Sequence, residues 1–223
     1  MEPLPPWTAL VLAGGRGERM GGQAKPQLEV GGRTMLATVL AAVADAAARV
    51  VVGPPQPVPD GVVVLREEPP GGGPVAALRA GLPEVGTEVV VLLAADLPFL
   101  TADLVTGLRS RLEAAQLVEV GHERGGGARV LDLDRHVAAD ADGVVVVDET
   151  GRDQHLLGAW RTAALRAALP GDGGPSSLRR VLAPLSVRRW RPDVAPGSPP
   201  PWADCDTPAD LARARAVAGR LGG

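Results

Sequence analysis

Short runs of apolar residues alternate along the chain with segments of helical character. Five of these runs are predicted to form strands, at residues 9–13, 49–53, 61–66, 88–95 and 143–147. The run at 88–95 is apolar at nearly every position, which is typical of a central parallel strand covered on both faces. Strands that alternate with helices predict an α/β fold with a mostly parallel sheet and right-handed crossovers.

Helix signals fall between these strands. Thr34 is the predicted N-cap of an alanine-rich helix that ends near Ala48, and Thr101 is the predicted N-cap of a helix through residues 104–112. Further helices are predicted at 75–82, 161–169 and 176–183, and shorter strands at 28–30, 156–160 and 185–190. A polar turn is expected over residues 148–155.

The length of 223 residues suits one α/β domain, or one domain with a modest appendage, and allows a sizeable core. We therefore expect a single Rossmann-like domain over residues 1–223, built as a three-layer α/β/α sandwich. Residues 116–142 carry three consecutive glycines and no clear pattern of strands and helices. We expect this segment to be an insertion or a flexible stretch.

Composition excludes several classes of function. Trp occurs four times, Phe once and Tyr never, and the net charge is −3, so neither stacking platforms nor a basic surface is available for nucleic acid. The single cysteine, Cys205, excludes an internal disulfide, and no Cys/His cluster predicts structural zinc. No signal-peptide pattern or run of roughly 18 apolar residues occurs, so we expect a cytoplasmic protein without a membrane partner.

The stretch that follows the first strand is rich in glycine and positive charge. Five glycines, at 14, 15, 17, 21 and 22, accompany Arg16, Arg19 and Lys25, and Lys25 is the only lysine in the chain. Glycine-rich turns expose backbone N–H groups that bind anions, and cations beside them favour a polyphosphate ligand. The spacing fits neither a P-loop, because Pro26 follows the lysine, nor a dinucleotide fingerprint, because Met20 replaces the third glycine. An ordinary βα turn is the alternative.

The residues LAGG at 12–15, then GRGERM at 15–20, then Lys25 and Pro26 resemble the signature loop of nucleotidyltransferases. Within that group the chain is most similar to the molybdenum cofactor guanylyltransferases of the MobA type. The resemblance implies the nucleotide-diphospho-sugar transferase type of fold. It further implies nucleotide-binding roles for this loop, at Leu12, Ala13, Gly14, Gly15 and Gly17, with Arg19 and Lys25 neutralising phosphate charge during catalysis.

Carboxylates follow two other predicted elements. Asp96 comes directly after the most apolar strand and begins a D-x-P element that holds magnesium in the resembled family, although a turn residue is the alternative. Near the C-terminus Thr207 and Pro208 are good helix-capping residues, which leaves Asp204 and Asp206 unexplained. These two carboxylates could share Mg²⁺ with Asp96 or contact the acceptor. We predict Asp96 and Asp206 as the metal ligands and Asp96 as a catalytic residue.

The resemblance also covers the base and the acceptor. A carboxylate accepts both N1–H and N2–H₂ of guanine, and Glu68 is predicted for that role beside a GPLAG-like element that starts at Gly73 and Pro74. A segment such as 152–155 lies over the acceptor in the family, which makes Arg152, Gln154 and His155 candidates for pterin or phosphate contacts.

The implied reaction transfers GMP from GTP to the phosphate of molybdopterin and releases pyrophosphate. A cytidylyltransferase, a sugar- or alditol-phosphate nucleotidyltransferase and a non-catalytic nucleotide-binding protein are the alternatives. We expect a monomer or weak homo-oligomer, with transient contacts to molybdoenzymes or other cofactor-synthesis proteins.

Overall fold

A computed structural model of the chain describes residues 3–14, 24–117, 141–171 and 177–221. The described strands form a seven-stranded sheet in the order β5-β4-β1-β6-β8-β7-β9 and a separate hairpin of β2 and β3. The strands are β1 (Trp7–Leu12), β2 (Glu29–Val30), β3 (Arg33–Thr34), β4 (Ala48–Val52), β5 (Val62–Leu65), β6 (Val89–Ala94), β7 (Gly143–Val147), β8 (Asp153–Arg161) and β9 (Val187–Trp190).

Parallel pairing dominates the large sheet, as the sequence predicts. β1 lies at its centre, where Leu10 is paired with Val50 of β4 on one side and with Leu92 of β6 on the other. β8 is the exception, because it runs antiparallel to both β6 and β7. The carboxyl ends of β1, β4, β5 and β6 therefore meet at one edge of the sheet, which is where open α/β folds bind ligands.

Helices cover both faces of the sheet, which confirms the α/β/α layering. They are α1 (Met35–Ala42), α2 (Gly73–Gly81), α3 (Ala102–Leu117), α4 (Thr162–Ala168), α5 (Leu178–Leu182) and α6 (Pro208–Leu221). Side chains alternate across each strand, so Val11 packs in the core under α1 and α3, whereas Leu10 and Leu12 pack in the core under α2, α4 and α5. The ends of the strands at this edge are thus held in place by an apolar core on each face of the sheet.

Two predicted element boundaries are wrong. The first helix ends at Ala42 rather than near Ala48, since the backbone N–H of Ala47 donates to the carbonyl of Trp7 and draws the chain toward β1. A tertiary hydrogen bond here outweighs the helix propensity of the alanines. The predicted polar turn is also too long, because β8 begins at Asp153 and pairs there with Val147.

The C-terminal helix packs away from the large sheet. Leu211 and Ala214 of α6 share a small core with Val30 and with Cys205, which is buried. The predicted cap is confirmed, since Thr207 donates to the carboxylate of Asp210 and accepts from its N–H. Among the described residues no helix combines the length and the apolar character needed to cross a membrane. Most of the segment 116–142, from residue 118 to 140, lies outside the described residues.

Candidate active site

Lys25 lies between two carboxylates that come from distant parts of the chain. It opens a short 3₁₀ turn, Lys25–Gln27, and its Nζ contacts Oδ2 of Asp96 and lies 2.6 Å from Oδ1 of Asp206. Asp96 stands two residues beyond the end of β6, where the N–H of Ala95 donates to the carbonyl of Leu12. The end of the first strand, the lysine and both aspartates therefore meet at one edge of the sheet.

The charges at this point favour a protonated lysine. Partial burial by itself lowers the pKa of Lys25, but the charges and hydrogen bonds of Asp96 and Asp206 outweigh it and raise the pKa overall. The lysine is thus fully cationic near neutral pH. Asp204 is exposed yet partly desolvated, and this desolvation, together with the nearby Asp206 and Asp96, raises its pKa.

The donor set at this edge fits a small divalent cation. Oxygens of Asp96 and Asp206 converge on one cationic atom, and carboxylate oxygens are the ligands that Mg²⁺ prefers. Over residues 3–14, 24–117, 141–171 and 177–221, no group of three or more Asp, Glu, His or Cys side chains is arranged to hold a metal ion. Mg²⁺ is commonly bound through one or two carboxylates plus substrate phosphates, and the two aspartates match that number of protein ligands.

The nucleotide-binding residues predicted from the glycine-rich loop are described only in part. Leu12 and Ala13 are buried at the end of β1, and Gly14 is exposed. A Cβ atom at Gly53, just after β4, would lie 2.8 Å from the backbone C and O of Ala13, so this approach requires glycine. The predicted residues Gly15, Gly17 and Arg19 lie outside the described residues.

A buried carboxylate that the sequence analysis missed lies against this loop. Glu67 is 5% exposed, and a Cβ at Gly14 would lie 3.2 Å from its Oε1. Oε1 accepts the N–H of Gly71 at 3.0 Å, whereas Oε2 has no hydrogen-bond partner among the described residues. Glu68, the residue predicted to contact the base, is exposed. Glu67 follows β5 by two residues, as Asp96 follows β6, and this spacing could have identified it.

The second glycine-rich loop joins Glu67 to the start of α2. Gly71 and Gly73 have φ angles of 74° and 81°, a backbone conformation that only glycine adopts readily. Gly73 and Pro74, both predicted to contact nucleotide, are exposed at the first turn of the helix. Glu67, Gly14 and this loop therefore form one wall beside the end of β1.

A cavity of about 960 Å³ extends from the aspartates across the sheet toward β9. Asp96, Asp204 and Asp206 line one end of it. Apolar side chains of the sheet and α5 line the rest of the cavity, among them Val145, Trp160 and Leu182. Basic side chains also line it, among them Arg152 and Arg179. An elongated ligand with an apolar body and anionic groups matches this lining.

The three predicted acceptor contacts Arg152, Gln154 and His155 all line this cavity. A bulge in β8 helps to form the wall, because pairing with β7 shifts from Val145 opposite Gly158 to Val146 opposite Gln154. Burial lowers the pKa of His155, and the charges of Arg179 and Arg152 lower it further against the opposing charge of Asp153. His155 is therefore neutral near pH 7, and its buried Nδ1 has no partner in the part of the chain that the structure describes.

The turn between β7 and β8 is tied to the aspartate segment. Trp202 donates from its indole N–H to Oε2 of Glu149 at 2.8 Å. Trp202 precedes Asp204 and Asp206, so this bond joins the turn between β7 and β8 to the residues around Lys25. No short sequence motif predicts this contact, because the two side chains are 53 residues apart.

Comparison with known proteins identifies the family of this chain. The model of the MobA-like NTP transferase domain matches residues 9–189. Two curated relatives, both named molybdenum cofactor guanylyltransferase, are each 32% identical. The one from Rhodopseudomonas palustris aligns over 98% of this chain and 94% of its own length, and the one from Rhodobacter capsulatus over 92% and 93%.

Solved structures share the fold at lower identity. Molybdopterin-guanine dinucleotide biosynthesis protein A from Archaeoglobus fulgidus superposes with a TM-score of 0.62 at 18% identity and covers 96% of this chain and 99% of its own. The 2-C-methyl-D-erythritol 4-phosphate cytidylyltransferase from Thermus thermophilus gives 0.59 at 23% identity, with 96% and 99% covered.

Proposed function

The chain belongs to the MobA-like NTP transferase family, and from this membership we propose that it is a molybdenum cofactor guanylyltransferase. It transfers GMP from GTP to the phosphate of molybdopterin and releases pyrophosphate. The juxtaposition of Lys25, Asp96 and Asp206 at one end of a large cavity carries the proposal. A cation and two carboxylates at the end of a nucleotide-binding strand suit phosphoryl chemistry.

The reaction demands positioning and charge neutralisation more than a protein nucleophile. A phosphate oxygen of molybdopterin forms a bond to the α-phosphorus of GTP, and the bond from that phosphorus to the bridging oxygen of pyrophosphate breaks. The attacking phosphate is already ionised near pH 7, so no side chain has to remove a proton. Lys25 leaves its contacts with the aspartates and neutralises charge on the α-phosphate and on the leaving pyrophosphate.

Asp96 and Asp206 are the residues that we expect to hold Mg²⁺ when nucleotide binds. Magnesium bound there would supply positive charge that stabilises the charge developing on the phosphate oxygens. Both aspartates already accept contacts from the ammonium group of Lys25, so their oxygens are oriented toward a cation. When Lys25 moves to the phosphates, both carboxylates would be free to hold the metal.

We propose Glu67 as the residue that recognises guanine. Its buried Oε2 lacks a partner among the described residues, and an unpaired buried carboxylate oxygen is costly unless a ligand satisfies it. The N1–H and N2–H₂ groups of guanine offer adjacent donors of the required kind. Glu68 remains the sequence-based candidate, and it is exposed on the same loop.

The acceptor occupies the cavity next to Asp96. A pterin has a flat body with polar edges, which suits a surface of Trp160 and Leu182 together with the amide of Gln154 and the neutral ring of His155. Arg152 adds a cation for an anionic acceptor. The phosphate then points toward Lys25, where the two substrates meet.

A turnover assay tests the function directly. Pyrophosphate release is measured with GTP, CTP, ATP and UTP, each with and without molybdopterin, at saturating Mg²⁺. We expect release with GTP only when molybdopterin is present, and formation of the guanine dinucleotide by mass spectrometry. Preferential use of CTP, or release that is independent of the acceptor, would contradict the proposal.

A further inference from the structure

A single buried carboxylate organises the turn that carries the predicted acceptor contacts. Asp148, at the end of β7, is 8% exposed. Its Oδ1 accepts three hydrogen bonds, from the N–H of Thr150 at 2.9 Å, the hydroxyl of Thr150 at 2.7 Å and the N–H of Arg152 at 2.9 Å. Its Oδ2 accepts the side-chain amide of Gln154 at 2.7 Å.

The backbone of the same residue closes the turn. The N–H of Asp148 donates to the carbonyl of Arg152 at 3.0 Å, and its carbonyl accepts the N–H of Gly151 and the guanidinium of Arg191. Gly151 has a φ of 86°, which lets the chain reverse tightly here. Asp148 thus makes hydrogen bonds to four of the six residues at 149–154, which are Thr150, Gly151, Arg152 and Gln154.

The turn fixes the pairing of β8 on the cavity side of the bulge. Val147 pairs with Asp153 and Val146 with Gln154, whereas the rest of the ladder, from Val145 opposite Gly158, keeps a different register. Three residues of β8, His155 to Leu157, accommodate the shift, and all three line the cavity. A slip of the turn into the other register would remove this wall.

We propose that Asp148 is a positioning residue for the acceptor: it holds Arg152 and Gln154 in place and keeps β8 in the bulged register that forms the cavity wall. Asp148 itself does not line the cavity. Its effect therefore passes through the backbone of Arg152 and the amide of Gln154. This inference rests on the proposed function, in which those two residues contact molybdopterin.

The low pKa of Asp148 keeps its carboxylate charged near neutral pH. The hydroxyl of Thr150, followed by the N–H of Arg152, lowers the pKa of Asp148 to about 2. Hydrogen bonds to an ionised acceptor are roughly twice as strong as neutral ones. A neutral replacement therefore weakens each of the four bonds, and an amide replacement also forces the amide of Gln154 to turn its oxygen toward residue 148.

The test uses Asp148→Asn, Gln154→Glu and the double variant. In Asp148→Asn the acceptor loses its charge and the amide of Gln154 has to turn over to pair with the new N–H₂ group, and in Gln154→Glu two carboxylates face each other. The double variant exchanges donor and acceptor and restores the pair. Asp142→Asn is the matched control, because Asp142 lies just before the other end of β7, where it accepts the N–H of Ser186 at 2.8 Å.

Two measurements are made on the full chain. Hydrogen exchange should rise in residues 148–157 of each single variant, return toward wild type in the double variant, and stay unchanged in β6. Steady-state kinetics should show the KM for molybdopterin raised about tenfold in Asp148→Asn, the size expected when hydrogen bonds to a charged group become neutral and Gln154 turns over, with kcat and the KM for GTP within about twofold of wild type. Asp142→Asn should change none of these values.

The two proposals fail in different ways. Wild-type protein that does not transfer GMP to molybdopterin contradicts the proposed function, and hydrogen exchange then decides alone on Asp148. Wild-type transfer with an unchanged acceptor KM in Asp148→Asn, or exchange in 148–157 equal to wild type, overturns the positioning role.

Discussion

The ammonium nitrogen of Lys25 lies 2.6 Å from Oδ1 of Asp206, although 181 residues separate them. The same nitrogen contacts Asp96 at the end of β6. One cation thus joins the beginning, the middle and the end of the chain at the edge of the sheet. We therefore expect substitutions of these three residues to impair catalysis.

We expect Lys25→Ala to lower kcat for GMP transfer by about 10² or more, the scale of loss when one charge-stabilising donor is removed from a transition state. Stability should fall as well, because Asp96 is only 17% exposed and loses the cation that balances its charge, whereas the pair with the exposed Asp206 contributes about 1 kcal/mol or less. Initial rates measure the effect on kcat, and urea unfolding measures the effect on stability. Arg49→Ala is the control, because Arg49 is a half-buried cation on β4 whose guanidinium donates to the backbone carbonyl of Asp60. Normal turnover of Lys25→Ala would refute the role of the lysine.

Asp206→Asn should raise the Mg²⁺ concentration for half-maximal rate by about tenfold, because the amide loses a negative charge but keeps an oxygen ligand. Asp96→Asn should lose activity at any Mg²⁺ concentration. Metal titration of the rate and of Mn²⁺ binding by electron paramagnetic resonance measures both. Asp45→Asn, whose carboxylate contacts Arg109, serves as the charge-matched control. An unchanged metal requirement in both site variants would exclude them as ligands.

Glu67→Gln should raise the KM for GTP by about tenfold and reduce discrimination against ATP, because an amide cannot accept two donors from guanine. Glu68→Gln should behave like wild type. The ratio of kcat/KM values for GTP and ATP is the measurement. The opposite result, with Glu68→Gln alone affected, would return the base contact to the residue predicted from the sequence.

Gly53→Ala should raise the KM for GTP and destabilise the fold by about 1–3 kcal/mol, the usual range for overpacking. The new methyl group would lie 2.8 Å from the backbone of Ala13 and force the start of the glycine-rich loop to move. Gly86→Ala is the control, since its Cβ would meet no atom within 4 Å. Calorimetry and GTP kinetics test the pair, and equal behaviour of the two variants would contradict the expectation.

The pKa of Asp148 predicts a pH dependence of stability. The pKa is about 2 in the folded protein and 3.8 without the fold, so folding favours the charged form. The stabilisation is complete above about pH 4 and is lost as the pH falls through about 2. The difference in unfolding free energy between wild type and Asp148→Asn should therefore be constant from pH 5 to 8 and shrink below pH 4.

Urea unfolding at a series of pH values measures that difference. Thr150→Val removes the hydroxyl that lowers the pKa most, so its own dependence on pH below 4 should be weaker than that of wild type. If the difference in unfolding free energy instead grows in acid, the charge of Asp148 does not stabilise the fold.

Much of this site could be predicted from local sequence. The strand at 143–147 matches β7, and the apolar run at 88–95 contains β6. The meeting of Lys25 with Asp96 follows from a general rule, because parallel strands bring their carboxyl ends to one edge. Apolar periodicity, helix caps and glycine-rich turns depend on residues a few positions apart, so they can be recognised directly in the sequence.

The remainder depends on partners that are distant in sequence. The antiparallel direction of β8 and its bulge arise from pairing with β6 and β7, and the polar start of β8 conceals the strand. Glu67 and Glu68 are adjacent acidic residues in the sequence, and only the packing of Gly14 against one of them distinguishes the two. The bond from Trp202 to Glu149 similarly has no local signal.

The chain contains a single lysine, and it lies in the cluster of Lys25, Asp96 and Asp206. Reductive methylation with ¹³C-formaldehyde would accordingly place one isotopic reporter on a side chain at this site, apart from any label on a terminal amine. Its NMR signal would report directly when the amine leaves the aspartates for a bound nucleotide, in a spectrum that needs no assignment.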